Sequence, residues 1–417
     1  MNEEPQPENP GPLAGIRVLD FSRVLAGPFT TRFLADAGAE VIKVERPALG
    51  DDSRHFPWII ESNGVKQSGY YIYLNRGKKS ICVNLKDAKG LEIIRKLVEK
   101  CDILIENFSP GTMARLGLGY DEVRKINPRV IFCSISCFGQ HGPYSSEPGY
   151  DIVSQGASGW IAMSGEPNHP PLQSPVSIGD MNAALHALGA ILMALYYREK
   201  TGIGQFIDIS MVDCLFNLHE SAVQWYILSG RKVKMGRVGR HHPGYVPYGV
   251  YQCRDGYVVI AALNDELWKQ LVTAMGKEYE WLLTDPRFNL TSTRCHPQNT
   301  SVVAQIIEEW TKKFNCEDIL RILKNHGVPC TKVKTIDELC DNDPHIKARE
   351  MLVKIRQPFI GDVEVFGSPL KFSSVSSCPR GHAPLTGEHN EEILIGLLGY
   401  TKEELSELYR EGVLYKV

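Results

Sequence analysis

Ile16-Arg17-Val18-Leu19-Asp20-Phe21, a helical stretch over 28–37, Gly38, and Glu40-Val41-Ile42-Lys43-Val44-Glu45 decide the fold. Two short apolar runs rich in β-branched residues flank a helix that Gly38 is placed to stop. Strand, helix and strand in so short a span make a βαβ unit, whose two strands must run parallel. Downstream the alternation continues. Strands are expected at 80–85, 102–106, 129–136 and 206–210, and helices at 88–100, around 120–126, at 181–200 and at 212–228. This predicts an α/β fold: a Rossmann-like large domain with a mostly parallel sheet, and ligand sites beyond the C-terminal strand ends.

The chain has 417 residues, too many for one core, so a second, smaller α+β domain is expected. The first dozen residues are acidic and proline-rich, matching neither a secretory signal nor an Arg-rich transit peptide, and 1–12 is expected to be disordered. The large domain is assigned to 13–228, and the Gly- and Arg-rich stretch 229–247 reads as a linker. A hairpin around Arg254-Asp255-Gly256 opens the small domain, 248–345, and 346–417 returns to the large one. Eleven scattered cysteines, an odd number, read as reduced thiols. A formal net charge of −3 disfavours a nucleic-acid partner, and no run reads as a membrane span.

Chemistry is more selective. A dinucleotide loop needs G-x-G-x-x-G after the first strand, where this chain has Ala26-Gly27-Pro28. The Walker A lysine, H-E-x-x-H and G-x-S-x-G patterns do not occur. Positive residues gather in the large domain: Arg23, Arg46, Arg54, Arg76, Lys78, Lys79, Lys86 and Arg115. A ligand with several phosphates, such as coenzyme A, needs such contacts, and the same residues also suit surface ion pairs. Ser177-Ile178-Gly179-Asp180 runs straight into a long apolar helix. Asp180 is placed to be that helix's N-cap, or to use the same position as an ionised nucleophile.

Four segments in order are specific: 13–28, 38–45, Glu106-Asn107-Phe108-Ser109-Pro110-Gly111, and Ile178-Gly179-Asp180. With Gly387-Glu388-His389 near the end, they resemble the class III CoA-transferases, the CaiB/BaiF family, over nearly the whole chain. That family also holds α-methylacyl-CoA racemases, formyl-CoA transferase and carnitine CoA-transferases. The resemblance leans toward its dicarboxylate-transferring members. It implies an interlocked ring-like homodimer and the movement of CoA from succinyl-CoA to glutarate or 3-hydroxy-3-methylglutarate. The route it implies is a covalent aspartyl-CoA thioester on Asp180. CoA thioesters enter as substrates, and no permanently bound cofactor or metal is expected. A mitochondrial location is implied, with cytoplasm or peroxisome as alternatives.

Where the family's racemases carry Gly-His-Asp, thirty residues before the aspartate, this chain has Gly149-Tyr150-Asp151. A phenol with a pKa of about 10 is a poor base at neutral pH, so Tyr150 is expected to donate a hydrogen bond and transfer is favoured over racemisation. A 2-methylacyl-CoA racemase and a non-catalytic acyl-CoA-binding protein are the rival readings. The resemblance places Val24, Arg46, Lys86, Asn107, Phe108 and Arg115 around CoA. Leu25 stands where formyl-CoA transferase has glutamine, and the stretch 239–245 stands where that enzyme has a glycine-rich loop. The acceptor's unreacted carboxylate needs a cation, with Arg23, Arg54, Arg240, His241 and His242 as candidates.

Overall fold

The structure, a computed structural model, describes residues 11–62 and 64–416. Most of the stretch expected to be disordered, 1–10, lies outside the described residues. Gly11 within it is buried, and Leu13 donates its N–H to the Ala37 carbonyl at 2.9 Å.

The chain divides into two compact units, one comprising 11–159, 175–219 and 344–416, the other 160–174 and 220–343. The first holds a six-stranded sheet: β1 (Arg17–Asp20), β2 (Glu40–Glu45), β3 (Lys79–Cys82), β4 (Ile103–Glu106), β5 (Ile131–Ser136) and β6 (Gln205–Ser210). Its spatial order is β3-β2-β1-β4-β5-β6, and every pairing is parallel. The order reverses direction between β1 and β4, the crevice where such sheets bind ligands.

Up to residue 219 the α-helices of this unit are α1 (Ala26–Asp36), α2 (Gly69–Asn75), α3 (Ala88–Lys100), α4 (Thr112–Arg115), α5 (Tyr120–Ile126), α6 (Asp151–Ala157), α7 (Ile178–Thr201) and α8 (Met211–Asn217). Side chains alternate along each strand, so two cores form. Leu19, Ile42, Ile81 and Leu104 pack with Ile93, Ile94 and Leu97 of α3 on one face. Val18, Val41, Ile103 and Ile131 pack with Leu34 of α1 and Ala183, Ala187 and Ile191 of α7 on the other. Burial on both faces is why these strands read as continuous apolar runs.

The C-terminal segment closes the sheet's edge at β3. His389 donates its N–H to the Ser80 carbonyl at 2.9 Å, and Tyr415 donates to that of Cys82 at 3.1 Å. Asn390 Oδ1 accepts the Cys82 N–H at 2.9 Å.

Two expectations change. By length and composition α7 does qualify as a membrane span, with a mean hydropathy of 1.4, against the expectation that no run would. One of its faces packs on the sheet, and Arg198 in its last turns pairs with Asp102 at 2.9 Å. The expected helix over 212–228 breaks in two, because His219 turns inward and its Nε2 lies 2.8 Å from the Ser158 carbonyl.

The second half of that helix, Glu220–Leu228, therefore belongs to the second unit, so the boundary falls at 219 and not 228. There the Trp225 ring packs so closely on Gly244 that an added Cβ would lie 2.2 Å from it. Residues 160–174 join the same unit, because Arg237 donates to the Glu166 and Pro167 carbonyls at 3.1 Å and Gly239 donates to that of Gly165. The unit carries a three-stranded antiparallel sheet, Tyr248–Gln252, Tyr257–Ala261 and Cys330–Lys332, packed against helices around Trp268, Ile307, Trp310 and Leu323.

Candidate active site

The loop after β1 is the rigid part of the site. Asp20, fully buried at the strand's end, accepts from the Ser22 N–H at 2.9 Å, the Thr31 hydroxyl at 2.7 Å and Lys78 Nζ at 3.2 Å. Burial opposes its charge, but Lys78 and Lys43 outweigh that and hold its pKa below the ordinary value. Asn107, just beyond β4, pins the next residue from both sides. Its Oδ1 accepts the Arg23 N–H at 2.9 Å, and its Nδ2 donates to the Arg23 carbonyl at 2.8 Å.

Val24 then takes a φ of +66°, a left-handed conformation that a β-branched residue adopts at a cost of about 1–3 kcal/mol. Its N–H donates to Asp51 Oδ1 at 3.1 Å, and Asp51 is itself clamped by Lys43 Nζ at 2.8 Å. Burial would raise the Asp51 carboxyl; Lys43 and Ser53 prevail and hold it well below the usual range. The strained turn lets α1 begin at Ala26, whose backbone N–H hydrogen-bonds the Asp180 carboxylate.

Asp180 is the third residue of α7, so it is not the N-cap. Ser177 holds that position without a side-chain cap bond. The cap comes from α6: Asp151 Oδ1 accepts the N–H of Gly179 at 2.7 Å and of Asp180 at 3.2 Å, while Gln155 Nε2 holds Asp151 Oδ2 at 2.6 Å. Gly179 permits that approach, because a Cβ there would lie 2.3 Å from Ser154 Oγ and 2.9 Å from Asp151 Oδ1. A carboxylate from elsewhere in the chain thus satisfies the orphan donors of the helix start. Asp180 remains half-buried, with its pKa raised to about 7, first by burial and then by the charge of Asp151, against the opposing Ala26 hydrogen bond.

Two cavities open on this loop. The first, of about 400 Å³, is lined by Arg23, Lys43, Glu45, Arg46, Lys86 and Phe108, among others. The second, of about 160 Å³, is lined by Asp180, Tyr150, Val24, Asn107, Asp52 and Met211, and shares Arg23 and Phe108 with the first. Both lie wholly in the first unit. Tyr150 caps α6 and is 74 % exposed, so it is no buried aromatic. The guanidinium of Arg23 lies over the Phe108 ring, 5.5 Å from its centre.

Other candidates lie elsewhere. Arg54 lines neither cavity: it grips the buried Glu45 with Nε at 2.8 Å and Nη2 at 2.6 Å, and lies over the Tyr71 ring at 3.7 Å. Its fork is consumed by a structural carboxylate, which removes it as a substrate ligand. Arg76 and Lys78 are likewise buried against Asp36 and Asp20. Lys79 pairs with Glu40 and Glu392 at 2.6 Å. Arg115, on α4, donates to the Thr112 hydroxyl at 2.8 Å and lines neither cavity, although its neighbour Leu116 lines the first.

Arg240, His241 and His242 belong to the second unit and line neither cavity. Arg240 pairs with Glu308 at 3.1 Å, the His241 ring lies 5.0 Å from that of Tyr251, and His242 lies between Tyr245 and Tyr248. Burial lowers the pKa of both histidines. Three residues that sequence reasoning left out shape the site: Asp51, Asp52 and Asp151. The signal for Asp151 was its place beside Tyr150; nothing local marked the other two.

Comparison with known proteins adds an independent observation. The family described as CoA-transferase family III matches residues 13–390. The succinyl-CoA:glutarate CoA-transferase of Homo sapiens is 34 % identical over 407 residues, covering 97 % of this chain and 90 % of that protein. The succinate–glutarate CoA-transferase of Agrobacterium fabrum is 35 % identical over 394 residues, 94 % of this chain and 97 % of its own. A crystal structure of a CaiB/BaiF family protein from Brucella suis superposes with a TM-score of 0.80 at 35 % identity, covering 94 % of this chain and 100 % of that one.

Proposed function

The chain belongs to CoA-transferase family III and is a transferase acting on CoA thioesters; from that premise we propose that it moves CoA from succinyl-CoA to a dicarboxylate, glutarate or 3-hydroxy-3-methylglutarate, with Asp180 as the covalent nucleophile. The observation that carries this reading is the Asp180 carboxyl itself, half-buried, lining a cavity that shares Arg23 and Phe108 with a basic one, its pKa raised to about 7. A nucleophile is most effective when its pKa lies close to the working pH.

The steps follow from that placement. Ionised Asp180 attacks the succinyl thioester carbonyl; the C–S bond breaks, and CoA leaves as thiolate from a succinyl-aspartyl anhydride. The thiolate attacks the aspartyl carbonyl, expelling succinate and leaving an aspartyl-CoA thioester. The acceptor carboxylate attacks that thioester, and the released thiolate takes the acyl group from the second anhydride, regenerating Asp180. One thioester replaces another, so no nucleotide is consumed.

Arg46 and Lys86 are assigned to CoA phosphates, with Val24, Asn107, Phe108 and Arg115 around the rest of CoA. Arg23 is assigned to the acceptor's free carboxylate, being the one cation among the first-unit candidates that lines the cavity with Asp180. Tyr150 is assigned to donate its hydroxyl to the reacting carboxylate. No histidine is among the residues lining that cavity, which favours transfer over racemisation.

We assign an interlocked homodimer as well. It is supported by the outward stripe of α7, where Leu185 is 50 %, Met193 74 % and Tyr196 66 % exposed. Light scattering tests it. A mitochondrial location rests on the family resemblance alone and is tested by subcellular fractionation.

The deciding experiment incubates the protein with succinyl-CoA and then hydroxylamine. Expected is a hydroxamate on Asp180 by peptide mass spectrometry, with loss of transfer; an unmodified Asp180 in inactivated protein, or transfer persisting in Asp180→Ala, refutes the covalent route.

A further inference from the structure

Arg23 and Arg46 both line the larger cavity, and of the two only Arg23 also lines the one containing Asp180. A single carboxylate joins them. Asp52 Oδ2 lies 3.4 Å from Arg23 Nη1, while its Oδ1 pairs with Arg46 Nη2. Two guanidiniums close enough to share one carboxylate repel each other, and Asp52 neutralises part of that charge.

Unlike Asp51 before it, whose carboxylate is buried and held by Lys43, the Ser53 N–H and the Val24 N–H, the Asp52 side chain is 36 % exposed. The side chains of Arg23 and Arg46 are 42 % and 45 % exposed. Ion pairs this open to water are individually weak and exchange readily with ligand anions. The backbone beneath is fixed, since Asp51 caps the short turn Asp52–His55. Asp52 is thus a partly exposed anion on a rigid base.

We propose that Asp52 is an internal counter-ion coupling the two cavities: a phosphate of CoA arriving at Arg46 repels the Asp52 carboxylate from between the two guanidiniums, freeing Arg23 for the acid's unreacted carboxylate. The inference rests on the assignment of Arg46 to CoA and Arg23 to the acid. It goes further in making diacid binding conditional on CoA. A free dicarboxylate meets a pre-neutralised Arg23 in the empty protein and an available one after CoA has bound. Thermodynamic linkage requires the converse, that diacid tightens CoA by the same factor.

Free CoA and a free diacid hold no thioester to exchange, so the coupling is measurable at equilibrium in the unmodified protein. CoA is titrated calorimetrically alone, with saturating glutarate, and with pentanoate, which lacks the second carboxylate. Expected is a tightening of CoA by about fivefold or more with glutarate, the range of ordinary coupling, and none with pentanoate. In Asp52→Asn and Asp52→Ser, each checked for an unchanged melting midpoint, the glutarate effect should fall to about onefold. The same factor in the Asp52 variants, no coupling in the unmodified protein, or an equal effect of pentanoate overturns the proposal. If CoA affinity is unchanged in Arg46→Ala, the underlying site assignment fails; if that affinity drops and coupling is absent, only the role of Asp52 fails.

Discussion

Replacing Asp151 by asparagine separates the two jobs of that carboxylate. The amide oxygen still accepts the Gly179 and Asp180 N–H groups at 2.7 and 3.2 Å, and the Gln155 amide turns its oxygen toward the new Nδ2, so the start of α7 stays capped while the negative charge beside the nucleophile disappears. In the unmodified protein the Asp180 carboxyl lies near pKa 7, through burial first and Asp151 second. With that value about one carboxyl in ten is ionised at pH 6 and nine in ten at pH 8. Since only the ionised form attacks, kcat/KM should climb roughly tenfold over that span and then level off.

Burial persists in Asp151→Asn, so the acid limb should move down by about one unit without reaching the exposed-carboxylate value. Other groups whose charges meet that of Asp180 are Tyr70 and Tyr73 of α2 and Cys137 after β5, and Arg23, Glu147 and Tyr150 line the same cavity. Burial also pushes Glu106 to about 7, but it lines a separate cavity and is not among the charges acting on Asp180. The assay is a succinyl-CoA-to-glutarate rate profile from pH 5 to 9 for both proteins. A flat profile, or a limb that stays in place in Asp151→Asn, refutes the reasoning.

Other expectations concern stability and positioning. Asp180→Asn should raise the melting midpoint at pH 8 and leave it unchanged near pH 3.5. The raised pKa means that the folded state keeps a proton the unfolded chain releases, so the ionised wild type is penalised as pH rises from about 4 to 7, by up to ~4 kcal/mol; a midpoint difference independent of pH contradicts this. Arg54→Ala should destabilise by about 3–5 kcal/mol in urea, because it strands the buried Glu45; a stable variant with a raised KM for glutarate restores Arg54 as a substrate ligand. Val24→Gly should lower the backbone strain by about 1 kcal/mol while loosening the turn that aims the Ala26 N–H, so a lower kcat with little loss of melting temperature is expected.

The parallel sheet was legible because both faces of its strands are covered, so Val18, Leu19, Val41 and Ile42 all had to be apolar whichever way they point. Helix α3 was read to the residue, since Asp87 caps it locally, its side chain accepting from the Lys89 N–H. The start of α7 was misread for the opposite reason. Asp151, 29 residues earlier in sequence, supplies the cap, and a single aspartate before an apolar run cannot show that its helix has already begun. The hairpin Ile59–Ser62 with Val65–Ser68 and the one pairing Leu352–Gln357 with Gly361–Phe366 went unread, lying outside the βαβ alternation that guided the reading. Arg54 shows the limit for charges: a buried arginine facing Glu45 and an exposed one facing a ligand are the same letter.

The edge of the sheet at β3 is finished by Asn390 and Tyr415, contributed by the last thirty residues of the chain. During synthesis the stretch 220–343, which makes most of the second unit, emerges before them, so that unit can fold while the sheet of the first still presents unpaired N–H and C=O groups along one side. Until residues 389–415 have been made and have docked, β3 is an open, adhesive strand. Removing 389–415 would spare every residue lining the two cavities and leave that edge open to pairing with another chain.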